Sequence, residues 1–166
     1  QGVSRLGLYG DIFAEVDFLV ENILTVVEAG NKETLFVYTS DNGPRIDDAK
    51  ASLGGDVGPF NRGGKWGPYE GGHRMPMVLY WPGVIELGMT SALVSHMDLF
   101  PTFLRLGKAK VSKNTPIDGV DLAPLFVDSP QRRDACALRS GLLINEGFAA
   151  RIGRFKVLLR NQKKKI

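Results

Sequence analysis

An α/β fold is predicted by three observations. Two short apolar runs, 34–40 and 77–81, have strand character, and each is flanked on its outer side by a segment of helical periodicity. The stretch between them is too rich in glycine and proline to be a long helix or a central strand. The last part of the chain alternates with period two about a single glycine. A helix–strand–loop–strand–helix block followed by a small β unit is the pattern of an α/β body with an antiparallel appendage. The chain has 166 residues, 43% apolar and 23% charged, which is enough for one domain with a core of its own.

The first helix is expected over 11–29, where Ile12, Val16, Leu19, Val20, Ile23 and Val27 recur at helical spacing and Gly30 is placed to end it. Thr34 to Ser40 is short, β-branched and aromatic, without clear alternation, as in a strand buried on both faces of a largely parallel sheet. Residues 43–76 hold nine glycines and four prolines in 34 positions, far longer than an ordinary connection, and therefore read as a functional or disordered loop. Met77 to Trp81 is the second buried strand, stopped by Pro82-Gly83. A helix is expected over 98–106, with Asp98 as N-cap, Pro101 in the first turn and Gly107 at the end. Residues 116–130 read as loop. Over 147–160, Phe148, Ala150 and Ile152 alternate, Gly153 marks a turn, and Phe155, Val157 and Leu159 alternate again, which predicts a hairpin.

Charge is unevenly placed. Seven basic residues and no acid lie in 151–166; without them 14 basic residues face 18 acidic ones. The net charge of +3 is thus a property of the tail, and with no basic patch interleaved with aromatics the sequence argues against nucleic-acid binding. No run approaches the roughly 18 to 20 apolar residues of a membrane span. One cysteine, Cys136, leaves no internal disulfide and no multi-cysteine zinc site. Gln1-Gly2-Val3 carries neither an initiator Met nor a signal-peptide pattern, so a chain incomplete at its front is expected.

Chemistry concentrates in two places. Asp41-Asn42-Gly43-Pro44 follows the first strand, where ligands of open α/β sheets sit. Asp41 and Asn42 offer an anionic and a neutral oxygen, the donor types of Ca²⁺ or Mg²⁺; all four residues equally suit a plain turn. Lys65 lies between Gly64 and Trp66, on backbone able to approach an anionic ligand closely, and equally reads as a solvated loop lysine. Glu70 and Arg74, four apart, are expected to pair and hold the loop. His73 is a proton shuttle or a substrate-rim residue, and His96 is structural. Asp11, Glu15 and Asp17 suit the dipole of a first helical turn. Asp47, Asp48, Asp118 and Asp121 read as solvated acids. There is no Gly-x-Ser-x-Gly elbow and no Walker A sequence.

The order of these segments is more specific than any one of them. Tyr9-Gly10-Asp11 opens a helix; Thr39-Ser40-Asp41-Asn42-Gly43-Pro44, Lys65, Tyr69-Glu70-Gly71-Gly72-His73-Arg74-Met75-Pro76, Trp81-Pro82-Gly83, Asp98-Leu99-Phe100-Pro101-Thr102 and Asp118-Gly119-Val120-Asp121-Leu122 follow. This series resembles the sulfatase family, of the arylsulfatase A and arylsulfatase G type, over about residues 7–126. The resemblance implies part of an alkaline phosphatase-like three-layer α/β/α sandwich, with 1–126 the C-terminal part of the catalytic domain and 127–166 the start of a small antiparallel β subdomain. It implies Asp41 and Asn42 as ligands of an active-site Ca²⁺, with Mg²⁺ as the alternative. Lys65 becomes the catalytic, sulfate-contacting lysine, and His73 a residue of the substrate rim. It also implies Ca²⁺-dependent hydrolysis of sulfate esters, a lysosomal or secreted location, and a formylglycine nucleophile.

That nucleophile is made from the cysteine of a Cys-x-Pro-x-Arg motif. Cys136-Ala137-Leu138-Arg139 lacks the proline and places Arg one position early, so the formylglycine is expected upstream of this chain. The chain is expected to be a segment that works only with the missing N-terminal half of the same domain. Two other readings remain: a metal-dependent phosphodiesterase or phosphonate hydrolase of the alkaline phosphatase superfamily, and a non-catalytic binding fragment.

Overall fold

The computed structural model describes residues 4–30, 33–45, 62–112, 114–127, 141–144 and 149–159. Asp47, Asp48, Cys136, Phe148 and the lysine-rich end lie outside them. The described residues form two compact units, one built chiefly on 4–83 and the other on 84–127, 141–143 and 149–159.

In the first unit, α1 (Gly7–Ala29) begins four residues earlier than the apolar repeat predicts. Asp11 therefore lies beyond the first turn, which holds no acid. Its carboxylate instead accepts the Ser4 N–H and Oγ–H, both at 2.9 Å, and pins the segment leading into the helix. Gly30 ends α1 as expected, though with extended backbone rather than a left-handed residue, its N–H donating to the Val26 carbonyl at 3.1 Å. Val16, Val20 and Val27 of the predicted apolar stripe are half-buried, whereas Ile12, Leu19 and Ile23 are exposed, and no residue of α1 is fully buried.

β1 (Phe36–Thr39) pairs with β2 (Met77–Tyr80) in the register Phe36 to Tyr80 through Thr39 to Met77. The pairing is antiparallel, and β1 is half-buried throughout, against the expectation of a parallel strand buried on both faces. The physical reason is the connection: a parallel partner requires a crossover, usually a helix. Between β1 and β2 the described residues hold only α2 (Glu70–His73), one helical turn, so the chain returns as a long hairpin. Thr39 Oγ1 donates to the Pro76 carbonyl at 2.8 Å, and Tyr80 Oη donates to Glu28 at 2.9 Å, which fastens α1 to β2.

The second unit is organised by a buried carboxylate. A 3-10 turn, His96–Asp98, leads into α3 (Leu99–Leu106). Asp98 was the expected side-chain N-cap of α3, but its backbone is already helical and it makes no such cap. Its fully buried carboxylate instead accepts the Ser95 N–H at 2.7 Å and the Val120 N–H at 2.9 Å. Thr102, also buried, accepts the Leu122 N–H at 2.8 Å, and Arg105 pairs with Asp121 at 2.8 Å. Asp121 is thus a fastening residue rather than a solvated acid. Asp98 of the 3-10 turn and Thr102 and Arg105 of α3 hold residues 120–122, and α4 (Ala123–Phe126) forms within the segment expected to be loop. Leu122, Ala123, Leu125 and Phe126 are buried and supply most of this unit's core.

The end of α3 has a Schellman pattern: Ala109 N–H reaches the Leu104 carbonyl and Lys108 N–H the Arg105 carbonyl. The left-handed residue is Lys108, φ +51°, not Gly107. The predicted hairpin is present as β4 (Ala149–Ile152) and β5 (Phe155–Leu158), antiparallel, with Ile152 opposite Phe155. Gly153, φ +52°, takes the first central position of the two-residue turn, where type II′ hairpins use glycine. An unforeseen strand, β3 (Gly141–Ile144), completes a sheet of order β3-β4-β5. No helix among the described residues is long and apolar enough to cross a membrane.

Candidate active site

Where β1 stops, the chain bends at Asp41-Asn42. Asn42 N–H donates to Asp41 Oδ1 at 2.9 Å, and Ser40 Oγ donates to the Asn42 carbonyl at 3.1 Å, local side-chain bonds that hold the bend. This geometry fits the turn reading and leaves the exposed Asp41 side chain with acceptor capacity to spare.

The bend is joined to the glycine-rich segment through backbone. Gly43 N–H donates to the Gly72 carbonyl at 3.0 Å, and Lys65 N–H donates to the Pro44 carbonyl at 2.9 Å. The contact is so close that a Cβ on Gly43 would lie 1.7 Å from the Gly71 oxygen. On Gly72 it would lie 2.5 Å from the carbonyl oxygens of both Gly64 and Gly67. These glycines are required by the close approach of backbone segments. Asp41, Asn42 and Lys65 thereby belong to one hydrogen-bonded substructure although 22 residues separate Asn42 from Lys65.

α2 supports the second loop. Gly71 N–H donates to the Arg62 carbonyl at 3.0 Å and Arg74 N–H to the Glu70 carbonyl at 2.8 Å. Glu70 meets Arg74 at 3.8 Å, the expected pair, and also His73 Nε2 at 3.5 Å. His73 is half-buried, and its Nδ1 is shielded from solvent. The structure thus places His73 on the loop's supporting turn. His96 is exposed in the 3-10 turn of the other unit.

The roles of Arg45, Arg62 and Trp66 are not read from the sequence. Gly67 N–H donates to the Gly64 carbonyl at 2.9 Å, closing a turn whose central residues are Lys65 and Trp66. Trp66 has φ +68°, the left-handed value that the third residue of a type II turn requires and that glycine ordinarily supplies. A bulky side chain held there costs about 1–2 kcal/mol. The Arg45 guanidinium and the Lys65 ammonium each lie 5.3 Å from the Trp66 ring centroid, within cation–π range, and Arg62 lies 4.5 Å from the Tyr69 ring. Two cations and two aromatics within 62–69 are a visible signal in the sequence; the backbone angle of Trp66 is not.

Asp41 and Asn42, adjacent in sequence, carry one anionic and one neutral side-chain oxygen, the hard donor types that Ca²⁺ and Mg²⁺ take. Among the described residues no group of three or more His, Cys, Asp or Glu side chains is placed to hold a metal.

The sulfatase family profile matches residues 3–109. Human steryl-sulfatase is 37% identical over 138 residues, 80% of this chain and 24% of that protein. Human arylsulfatase A is 41% identical over 126 residues, 75% of this chain and 24% of its own length. The arylsulfatase of Hemicentrotus pulcherrimus is 32% identical over 165 residues, covering 96% of this chain and 28% of its own. A solved sulfatase structure, described under the metabolism of multiple glycosaminoglycans by Bacteroides thetaiotaomicron, superposes with TM-score 0.72 at 26% identity, over 91% of this chain and 33% of that one. The α/β fold class is borne out by that match, and the chain spans about a quarter of the length of the curated relatives it matches. Sulfatases in general use a metal ion and formylglycine. On the length of the profile match and on these identities, the chain belongs to the sulfatase family.

Proposed function

We propose that the whole protein to which this chain belongs is a sulfuric ester hydrolase of arylsulfatase type, and that residues 41–74 supply part of its active site. The observation that supports this best is the direct joining of the two motif loops by the Gly43 and Lys65 backbone N–H groups. Asp41 and Asn42 are ligands of Ca²⁺, the remaining oxygens of a six- to eight-coordinate ion coming from outside the described residues. When bound, the metal and formylglycine supply the Lewis acid and the nucleophile for attack on sulfur. Lys65 sets its ammonium against a sulfate oxygen and stabilises the negative charge that gathers as the ester bond breaks. His73 belongs to the substrate rim and, through Glu70, steadies the turn that carries Gly71 and Gly72.

In this reading residues 1–126 are the C-terminal part of the catalytic α/β domain and 127–166 open a β subdomain. The rest of the catalytic domain lies elsewhere in the protein, which is lysosomal or secreted. Paired assays of the full-length protein on an aryl sulfate and on the matching aryl phosphate test the function. Preferential, Ca²⁺-dependent release of sulfate is expected. Turnover of the phosphate alone would point to a phosphoryl-transfer relative, and Ca²⁺ binding without turnover of either to a binding protein.

A further inference from the structure

Trp66 stands where the backbone asks for glycine. It occupies the third position of the turn closed by Gly64 and Gly67, with φ +68°, in a loop that uses glycine freely at neighbouring positions. Within this chain, which spans about a quarter of the length of its relatives, Trp66 is 63% exposed. Its ring is also oriented: Arg45 and Lys65 each approach the centroid to 5.3 Å, and the backbone beside it is tied to Pro44. Trp66 is thus a large aromatic held at a backbone cost and adjacent in sequence to the lysine assigned to sulfate, a cost that a ligand for its ring would offset.

We propose that Trp66 is a specificity-determining residue, the platform that receives the flat apolar face of a ring in the alcohol part of the ester. This rests on the assignment of Lys65 to sulfate. A sulfate oxygen at the Lys65 ammonium leaves the alcohol only a bond or two away, and Trp66 is the nearest large apolar surface along the chain. Ring-bearing esters are therefore favoured over acyclic ones. Aromatic and saturated rings share the required flat face, and the test separates them.

Non-hydrolysable sulfonates report binding without turnover. Phenylmethanesulfonate, cyclohexylmethanesulfonate and ethanesulfonate would be titrated calorimetrically into full-length wild type, Trp66→Gly and Trp66→Phe. Glycine is the residue the turn prefers, so Trp66→Gly is expected to fold. Wild type is expected to bind a ring compound about tenfold more tightly than ethanesulfonate, a preference that Trp66→Gly reduces to near unity and Trp66→Phe largely keeps. Loss confined to phenylmethanesulfonate marks an aryl alcohol; equal loss for both ring compounds marks any flat-faced ring. An unchanged ring preference in Trp66→Gly overturns the inference. Ethanesulfonate binding that Lys65→Ala does not weaken overturns the sulfate assignment instead, and absence of all sulfonate binding overturns both.

Discussion

Replacing Gly43 by alanine perturbs the joint between the two loops at its tightest point. The new Cβ would lie 1.7 Å from the Gly71 carbonyl oxygen, where ordinary contact begins near 3.4 Å, and the obstruction is backbone rather than a side chain able to rotate away. One loop must retreat by more than an ångström. That breaks the 3.0 Å bond from Gly43 N–H to the Gly72 carbonyl and leaves a buried donor unpaired. An orphaned buried donor costs about 1–3 kcal/mol, and overpacking costs about another 1–3 kcal/mol. Stability of the full-length protein should therefore fall by about 2–6 kcal/mol. Misplacing catalytic groups by about 1 Å costs on the order of 10²-fold in rate. The assay is urea unfolding together with kcat/KM on an aryl sulfate under conditions where the variant is still folded. Gly83→Ala is the control: its φ of +77° imposes backbone strain, but nothing lies within 4 Å of the new Cβ. It should lose about 1 kcal/mol and keep its kcat/KM. A Gly43→Ala enzyme with kcat/KM within about twofold of wild type would refute the reasoning, because the predicted loss is far larger.

Other outcomes follow from the same contacts. Asp41→Ala should weaken Ca²⁺ binding by the full-length protein, and equal affinities in calcium titrations would remove Asp41 from the site. Asp98→Ala leaves the Ser95 and Val120 N–H groups unpaired and should destabilise the protein by about 2–4 kcal/mol; urea unfolding reads this, and a loss under about 0.5 kcal/mol contradicts it. The hydrogen bond to Glu28, followed by desolvation and the repulsion of that carboxylate, raises the Tyr80 phenol above its ordinary range. A raised folded-state value means that the contact's contribution is complete below the ordinary phenol range and is lost as pH rises through the folded-state value. The stability difference between wild type and Tyr80→Phe should accordingly shrink on the alkaline side, and growth there would contradict the assignment.

Much of the fold was legible where one local signal decided it. The period-two alternation about Gly153 gave the hairpin, and the Val16, Val20 and Val27 spacing gave α1. The direction of β1 was misread because the apolar character of Phe36 to Thr39 says nothing about its partner, whereas a connection too rich in glycine and proline for a long helix already argued against a parallel crossover. Asp98 and Asp121 were misread because their partners, Val120 and Arg105, become neighbours only when 120–122 folds against α3. In the candidate site, residue types were readable and contacts were not. Glu70 and Arg74 follow helical spacing and were found. The bonds from Gly43 to Gly72 and from Lys65 to Pro44 join segments that no short-range pattern relates.

The central claim is that Lys65 carries charge stabilisation in a sulfate-ester site that also contains Asp41 and Asn42. The most direct measurement is kcat/KM for aryl sulfate hydrolysis by full-length wild type and Lys65→Ala, with urea unfolding of both as the control for folding. Lys65 is exposed, and its structural bond is made by backbone, so alanine keeps that bond. A fall on the order of 10²-fold or more is expected, with stability unchanged within about 0.5 kcal/mol. Unchanged kcat/KM in a fully folded Lys65→Ala enzyme would contradict it.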